Sequence, residues 1–275
     1  MDFDLRTCKS AYSFILKFLN ITRKEYIRSY FIECKKDFEL FWKRYYKKIN
    51  DIDIRNIRII GFHVTGSLDE CEEIRTNGIR NLQKVLSENT IVRKVLRKYG
   101  VIIDVKSQQL HYKDIYLDIN YENYKGREEL SYKDKHVEYL AHRIYYDFCI
   151  SGFMMNDNVL DYGTNIHKRP EFIMRLVELF PDLNIMEKEW INRSISYRID
   201  FYTYFKQLHR FSFELDEEKD PPYNNWHELT DEQKLKKWML SHAIDRANGD
   251  LDEVYLYVKD EVDILPEQIL SCTKL

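Results

Sequence analysis

The spacing of apolar side chains changes near residue 50, and this change limits the folds open to the chain. Before it, apolar residues recur every three to four positions from Phe14 to Tyr45, which is typical of helices that bury one face. After Asn50-Asp51, the run IRIIGFHVT over residues 57–65 is rich in β-forming residues. The sequence therefore predicts an α+β protein, with a helical N-terminal appendage over residues 1–50 and a domain over residues 51–275.

Local signals predict further elements along the chain. Thr22 followed by Glu25 resembles a capping box that opens the second helix. Asn77-Gly78 is typical of a helix end. We expect helices over 68–77, 81–98, 136–150, 170–179 and 230–247, a β-hairpin over 101–119, and strands over 196–205 and 209–215. A loop is expected over 216–224. Residues 253–269 predict a strand, then a turn, and a short closing helix after Pro266.

Composition and motif spacing exclude several classes of protein. The net charge is −3, so the chain as a whole does not indicate a nucleic-acid-binding protein. Its five cysteines are scattered, odd in number and without C-x-x-C spacing, which favours free thiols in a reducing compartment over disulfides or zinc. No metal-ligand spacing, signal peptide or long apolar run occurs. We expect a cytoplasmic protein without a resident metal or a membrane span.

Residues 59–82, IIGFHVTGSLDECEEIRTNGIRNL, form the first candidate site. His63 and Thr65 stand two residues apart near the end of a predicted strand and so share one face. A helix predicted to begin near Ser67 would direct its N-terminus toward this face, where it could receive an anion. A histidine here could equally be a core residue bonded to a backbone carbonyl, since buried polar groups need partners.

This segment resembles the first motif of the H-Y-E class of ADP-ribosyltransferases, and most closely the DarT-related branch. The matching residues are His63, Thr65, Ile74, Gly78 and Ile79. The resemblance implies an ADP-ribosyltransferase-like core with a mixed sheet and NAD as substrate. It also implies that His63 and Thr65 hold the ribose and nicotinamide portions of NAD.

A second match lies near the C-terminus. Glu253 opens the run Glu-Val-Tyr-Leu-Tyr-Val, which precedes Pro266 and resembles the last core strand of that family. The resemblance implies that Glu253 is the catalytic carboxylate, because a negative charge stabilises the oxocarbenium-like transition state as nicotinamide leaves. Taken by itself, Glu253 also fits a solvated residue at the start of a strand.

The family also uses an aromatic residue that stacks on nicotinamide. With 21 tyrosines the choice is open, and Tyr162 is preferred because it lies in an irregular segment that can line a pocket. The implied activity is transfer of ADP-ribose from NAD to a macromolecular acceptor, protein or nucleic acid. Toxins and phage-defence effectors use such domains, so the resemblance also suggests a role in conflict.

Two basic segments offer alternatives. The polar face of the N-terminal helices carries Lys35, Lys36, Lys43, Arg44, Lys47 and Lys48. The chain could therefore be a non-catalytic interaction protein on the same fold, binding a protein or RNA partner through this arm, or the face could simply be solvated. His167, Lys168 and Arg169, just before a predicted helix, could form a phosphate-binding corner or a plain turn.

Overall fold

A computed structural model describes residues 1–216 and 226–275. The loop predicted for residues 216–224 lies, except for Asp216, outside the described residues. The α-helices are Cys8–Leu19 (α1), Arg23–Tyr26 (α2), Phe38–Asn50 (α3), Glu72–Asn77 (α4), Leu82–Ser87 (α5), Ile91–Lys98 (α6), Tyr132–Tyr145 (α7), Glu171–Leu179 (α8), Asn184–Arg193 (α9) and Asp231–Asn248 (α10). The strands are Asp2–Phe3 (β1), Arg58–Ser67 (β2), Val101–Asp104 (β3), Gln109–Tyr112 (β4), Ile115–Asp118 (β5), Ser151–Asn156 (β6), Ile195–Thr203 (β7), Glu253–Tyr257 (β8) and Ile269–Lys274 (β9).

The strands form two sheets. The larger has the order β8-β6-β2-β7-β9, and β1 pairs with β2 in parallel while β6 pairs antiparallel with both β2 and β8. The smaller is the antiparallel sheet β3-β4-β5. Helices combined with these sheets confirm the predicted α+β class. Across the described ranges, no helix is both long and apolar enough to cross a membrane.

The chain divides into two compact units. Unit 1 consists of residues 1–62, 151–157 and 202–257, and unit 2 of residues 63–150, 158–201 and 258–275. The boundary predicted near residue 50 falls inside unit 1. There α1 packs lengthwise on α10, and α3 contacts both of these helices.

Unit 1 contains a buried arginine that joins three separate parts of the chain. Arg246 of α10 is only 6% exposed. Its guanidinium donates to the carbonyl oxygens of Leu5 (2.9 Å) and Arg6 (3.0 Å) and, through two nitrogens at 2.8 Å, to the carboxylate of Asp157. Each of the three guanidinium nitrogens thus donates at least one hydrogen bond, which compensates the loss of hydration of the buried cation.

Replacing this cation is expected to destabilise the protein. Arg246→Ala leaves two buried carbonyl oxygens without donors and should lower the free energy of unfolding by about 2–3 kcal/mol. Arg55→Ala is the matched control, because the Arg55–Asp53 pair has the same 2.8 Å contact but an 85% exposed arginine, so no measurable loss is expected. Urea unfolding of both variants tests this, and equal losses would contradict the assigned role of Arg246.

Helix α10 also carries a histidine whose protonation opposes folding. The His242 ring stacks on the Trp238 ring at 3.9 Å, and its Nδ1 lies 2.9 Å from the Trp238 carbonyl oxygen. One edge remains partly accessible, but desolvation by the surrounding side chains lowers the pKa of His242 to about 4. The folded protein therefore favours the neutral imidazole, whose Nδ1–H donates a hydrogen bond to the Trp238 carbonyl oxygen.

This lowered pKa predicts a pH dependence of stability. Above pH 6.5 the imidazole is neutral in folded and unfolded chains alike, so protonation of His242 does not reduce the free energy of unfolding there. As pH falls from 6.5 to about 4, only the unfolded chain takes up the proton, and the unfolding constant should rise by up to tenfold per pH unit from this group. His242→Phe should remove that component in urea titrations between pH 7 and 4.5. An unchanged slope would contradict the assignment.

Unit 2 has its own apolar core. Helices α7 and α8 pack together over one face of the smaller sheet. The fully buried side chains of this core include Leu110, Ile119, Leu140, Ile144, Ile173 and Leu176.

Most predicted elements are present, and three of the differences have clear physical reasons. The helix predicted over 81–98 is interrupted, because the Thr90 hydroxyl accepts from the Arg93 amide and starts a new helix, α6. The predicted hairpin over 101–119 has three strands, since its second arm turns again at Lys113. The strand predicted over 209–215 is wrong, because Arg210–Phe213 is a 3₁₀ helix with Phe211 packed on Tyr257.

Candidate functional site

Strand β2 presents His63 and Thr65 as the sequence predicts. Both side chains are half-buried, and Val64 between them is fully buried. Because side chains alternate across a strand, His63 and Thr65 lie on the same, more accessible face. Both belong to the part of β2 that is in unit 2.

The end of β2 is held by a close backbone approach that the sequence pattern did not lead us to predict. A Cβ at Gly66 would lie 2.2 Å from the carbonyl oxygen of Lys168, so only glycine fits at this position. The same carbonyl oxygen accepts a hydrogen bond from the Ser194 hydroxyl at 2.7 Å. A glycine inside a strand pattern is itself a signal of such an approach, and it could have been found from the run His-Val-Thr-Gly.

The turn after β2 delays the helix that was predicted to begin near Ser67. The Ser67 hydroxyl accepts from the Cys71 amide (2.8 Å) and donates to Asp69 (2.7 Å), while Glu70 and Cys71 adopt positive φ. Helix α4 therefore begins only at Glu72 and has six residues. The prediction of a helix N-terminus directly beside His63 is therefore wrong, because this hydrogen-bonded turn separates β2 from α4.

Gly78 and Ile79 connect the first candidate segment to the last one. The backbones of Ile79 and Ile264 exchange two hydrogen bonds, of 2.9 and 3.0 Å. Gly78 has φ of +79°, and a Cβ there would lie 2.0 Å from the Ile264 carbonyl oxygen. The structure thus explains why glycine stands at position 78 and shows that the Ile79 backbone pairs with Ile264. The resemblance by itself explains neither.

Two side chains reinforce this connection. The Asn81 amide donates to the Asp260 carbonyl oxygen at 2.7 Å, and the same side chain caps α5 by accepting from the Lys84 amide. The Lys84 ammonium lies 2.7 Å from the Asp263 carboxylate. Segment 78–84 is therefore tied to segment 260–264 by backbone bonds, an amide and an ion pair.

Tyr162 and the proposed phosphate corner lie in the irregular segment that follows Asn158. Tyr162 is half-buried there. Arg169 forms an ion pair with Glu187 of α9 and donates to the Thr164 carbonyl oxygen at 2.7 Å, so its buried guanidinium joins this segment to α9. His167 is buried, and Lys168 is exposed. Of the three residues in the predicted phosphate corner, Arg169 thus has a structural role.

Glu253 is the first residue of β8 in unit 1, where β8 ends the sheet order. It pairs with Asn156, whose amide donates to the Glu253 carboxylate at 2.7 Å, and the Tyr255 hydroxyl donates to the other oxygen. The side chain is exposed. Two donors thus orient an accessible carboxylate, although His63, Thr65 and Tyr162 belong to unit 2.

The cysteine nearest the His63 strand has the properties of a buried thiol. Cys71 is fully buried, and this burial raises its pKa to about 12. A thiol that stays protonated is a poor nucleophile.

Comparison with known proteins adds no relative: no family model, curated protein or solved structure matches the chain. The resemblance to ADP-ribosyltransferases therefore depends on the matching residues and on their geometry.

The backbone approach at Gly78 predicts a strong effect of one added methyl group. Gly78→Ala should lower the free energy of unfolding by about 3 kcal/mol or more, because it combines a left-handed backbone with overpacking against Ile264. Gly100→Ala is the matched control, with φ of +76° but no atom of the described residues within 4 Å of the added Cβ, and should cost about 1 kcal/mol. Thermal unfolding of both variants measures the difference, and equal losses would contradict the close approach to Ile264.

Proposed function

We propose that the chain is an NAD-dependent ADP-ribosyltransferase that acts on a macromolecular acceptor in the cytoplasm. The observation that carries this proposal is the backbone pairing of Ile79 with Ile264. It joins residues from the two segments, 59–82 and 252–269, on which the resemblance stands. The pairing supports the resemblance at Gly78, Ile79 and Ile264 within unit 2, while the assignment of Glu253 rests on its own match.

Each proposed residue has a defined task in the reaction. His63 and Thr65, on the accessible face of β2, hydrogen-bond the ribose and nicotinamide portions of NAD, and Tyr162 stacks on the nicotinamide ring. The bond between ribose C1′ and the nicotinamide nitrogen breaks, and nicotinamide leaves with the bonding electron pair. The Glu253 carboxylate stabilises the positive charge on the ribose, and an acceptor nucleophile attacks C1′ and releases its proton.

The accessibility of Glu253 is compatible with a macromolecular acceptor. Its two hydrogen-bond donors, Asn156 and Tyr255, fix the direction of the carboxylate without covering it. A large acceptor could therefore approach it. A conflict role, as a toxin or a defence effector, is consistent with modification of a macromolecule and rests on analogy with the family.

The activity predicts a specific loss in one variant. Purified protein should release nicotinamide from NAD and label an acceptor in a cell lysate supplied with labelled NAD. Glu253→Gln should lower both rates about hundredfold or more, because the neutral amide cannot stabilise the positive transition state. Glu261→Gln is the matched control, since it removes the same charge from another exposed carboxylate and should leave both rates unchanged.

The outcomes distinguish ADP-ribose transfer, NAD hydrolysis and the absence of enzymatic activity. Nicotinamide release without a labelled acceptor would identify an NAD glycohydrolase. Absence of NAD binding by calorimetry, together with absence of release, would overturn the enzymatic proposal. An equal loss in the Glu253 and Glu261 variants would remove Glu253 from the mechanism.

A further inference from the structure

Helix α3 and the turn before it carry an unusual concentration of positive charge. Residues 20–50 contain nine lysines and arginines against four acidic residues, a local net charge of +5 in a chain whose total is −3. Two of the four acidic side chains are engaged in ion pairs. Glu33 pairs with Arg28 and Arg44, while Glu39 pairs with the buried Lys237.

Four exposed lysines of α3 and the turn before it form what we call the basic face: Lys35, Lys36, Lys43 and Lys47. All four are exposed, and within residues 1–216 and 226–275 none of them pairs with an acidic side chain. Lys43 and Lys47 are one helical turn apart, on the side of α3 opposite the buried Phe41, Tyr45 and Ile49. Their charges therefore point in one direction and reinforce one another.

The other two lysines stand in a backbone conformation that disfavours them. Lys35 and Lys36 are consecutive residues with φ of 53° and 65°, in the left-handed region that glycine or asparagine adopts more easily. The Lys36 ammonium lies 5.5 Å above the Phe31 ring. Strained residues cluster at functional sites, which makes these two adjacent cations candidates for a functional role.

An aromatic ring flanks the basic face. Tyr46 is 39% exposed, and its hydroxyl accepts a hydrogen bond from the Gln233 side chain at 2.8 Å, which holds one end of the ring in place. Trp42 packs edge-on against the ring at 5.9 Å. A partly exposed ring beside Lys43 and Lys47 on the same helix is a combination that single-stranded nucleic acids bind, with phosphates on the cations and bases on the ring.

We propose that the basic face and Tyr46 bind single-stranded nucleic acid, without requiring NAD or its turnover. The cations contact the phosphodiester backbone, and the Tyr46 ring stacks on a base. Charge complementarity favours a polyanion on this surface, and the ring favours a nucleic acid over an acidic polypeptide.

The test is fluorescence anisotropy with labelled 20-nucleotide single strands, U20 and dT20, at 50 and 200 mM salt. Replacing all four lysines by glutamine should weaken binding tenfold or more. It should also reduce the slope of log K against log salt by about 0.7 for each phosphate that the variant no longer neutralises. The control replaces two exposed lysines of unit 2, Lys106→Gln with Lys133→Gln, and should leave the slope unchanged. Circular dichroism checks that each variant is folded.

Tyr46 variants separate stacking from charge. Tyr46→Phe keeps the ring and loses the hydroxyl bond to Gln233, so it should bind like the wild type. Tyr46→Leu should weaken binding about fivefold or more. Tighter binding of U20 or of dT20 identifies the sugar preferred, and either result supports the proposal. It is overturned by absence of binding to both strands, by equal effects of the lysine variant and its control, or by polyglutamate competing as well as the oligonucleotides.

Discussion

The candidate site depends on one long-range backbone closure, the pair of hydrogen bonds between Ile79 and Ile264. Closing a loop of this length costs chain entropy, which grows only slowly with loop length, so a few well-formed contacts can maintain it. Gly78 allows the two backbones to meet, and the Lys84–Asp263 pair adds a charge-assisted contact. Because β2 leads through the Ser67 turn into this closure, the end of the strand that carries His63 and Thr65 is continuous with it.

Unit 1 is marked by the burial of three cations, all of which lie on its longest helix. Arg246, Lys236 and Lys237 of α10 are all nearly inaccessible. Lys236 donates to the Asn50 carbonyl oxygen and Lys237 to the Glu39 carboxylate, so each ammonium is compensated by residues of α3. Buried ion pairs add little net stability compared with apolar packing, but their geometry is demanding. They therefore act mainly to specify which surface of α10 contacts α3.

The sequence predicts elements whose cause is local and fails where the cause is distant. Thr22 caps its helix as expected, since a capping residue acts on amides two or three positions away. The strand expected over 209–215 is a 3₁₀ helix because the exposed Phe211 packs on Tyr257, an interaction that alternation of apolar residues cannot reveal. Likewise, a helical pattern assigns lysines to the solvent side, so the burial of Lys236 and Lys237 could not be read from α10 itself. His63 and Thr65 were placed on one face by alternation alone, whereas the partners of Glu253 depend on the register of β6 and β8.

The two proposals concern different physical features and need not stand together. NAD chemistry requires a few groups held at fixed positions, and the hydrogen-bonded turn after β2 and the closure at Ile79 restrain the segment that follows His63 and Thr65. Nucleic-acid binding instead needs a surface with an excess of positive charge. The lysines of α3 provide this excess, because Glu33 and Glu39 are both engaged in ion pairs with other side chains. The pairing of Glu39 with Lys237 thus links folding to surface charge: the same contact that compensates a buried ammonium removes an acidic group from the basic side of α3. The positive field of this helix is therefore a consequence of how unit 1 packs.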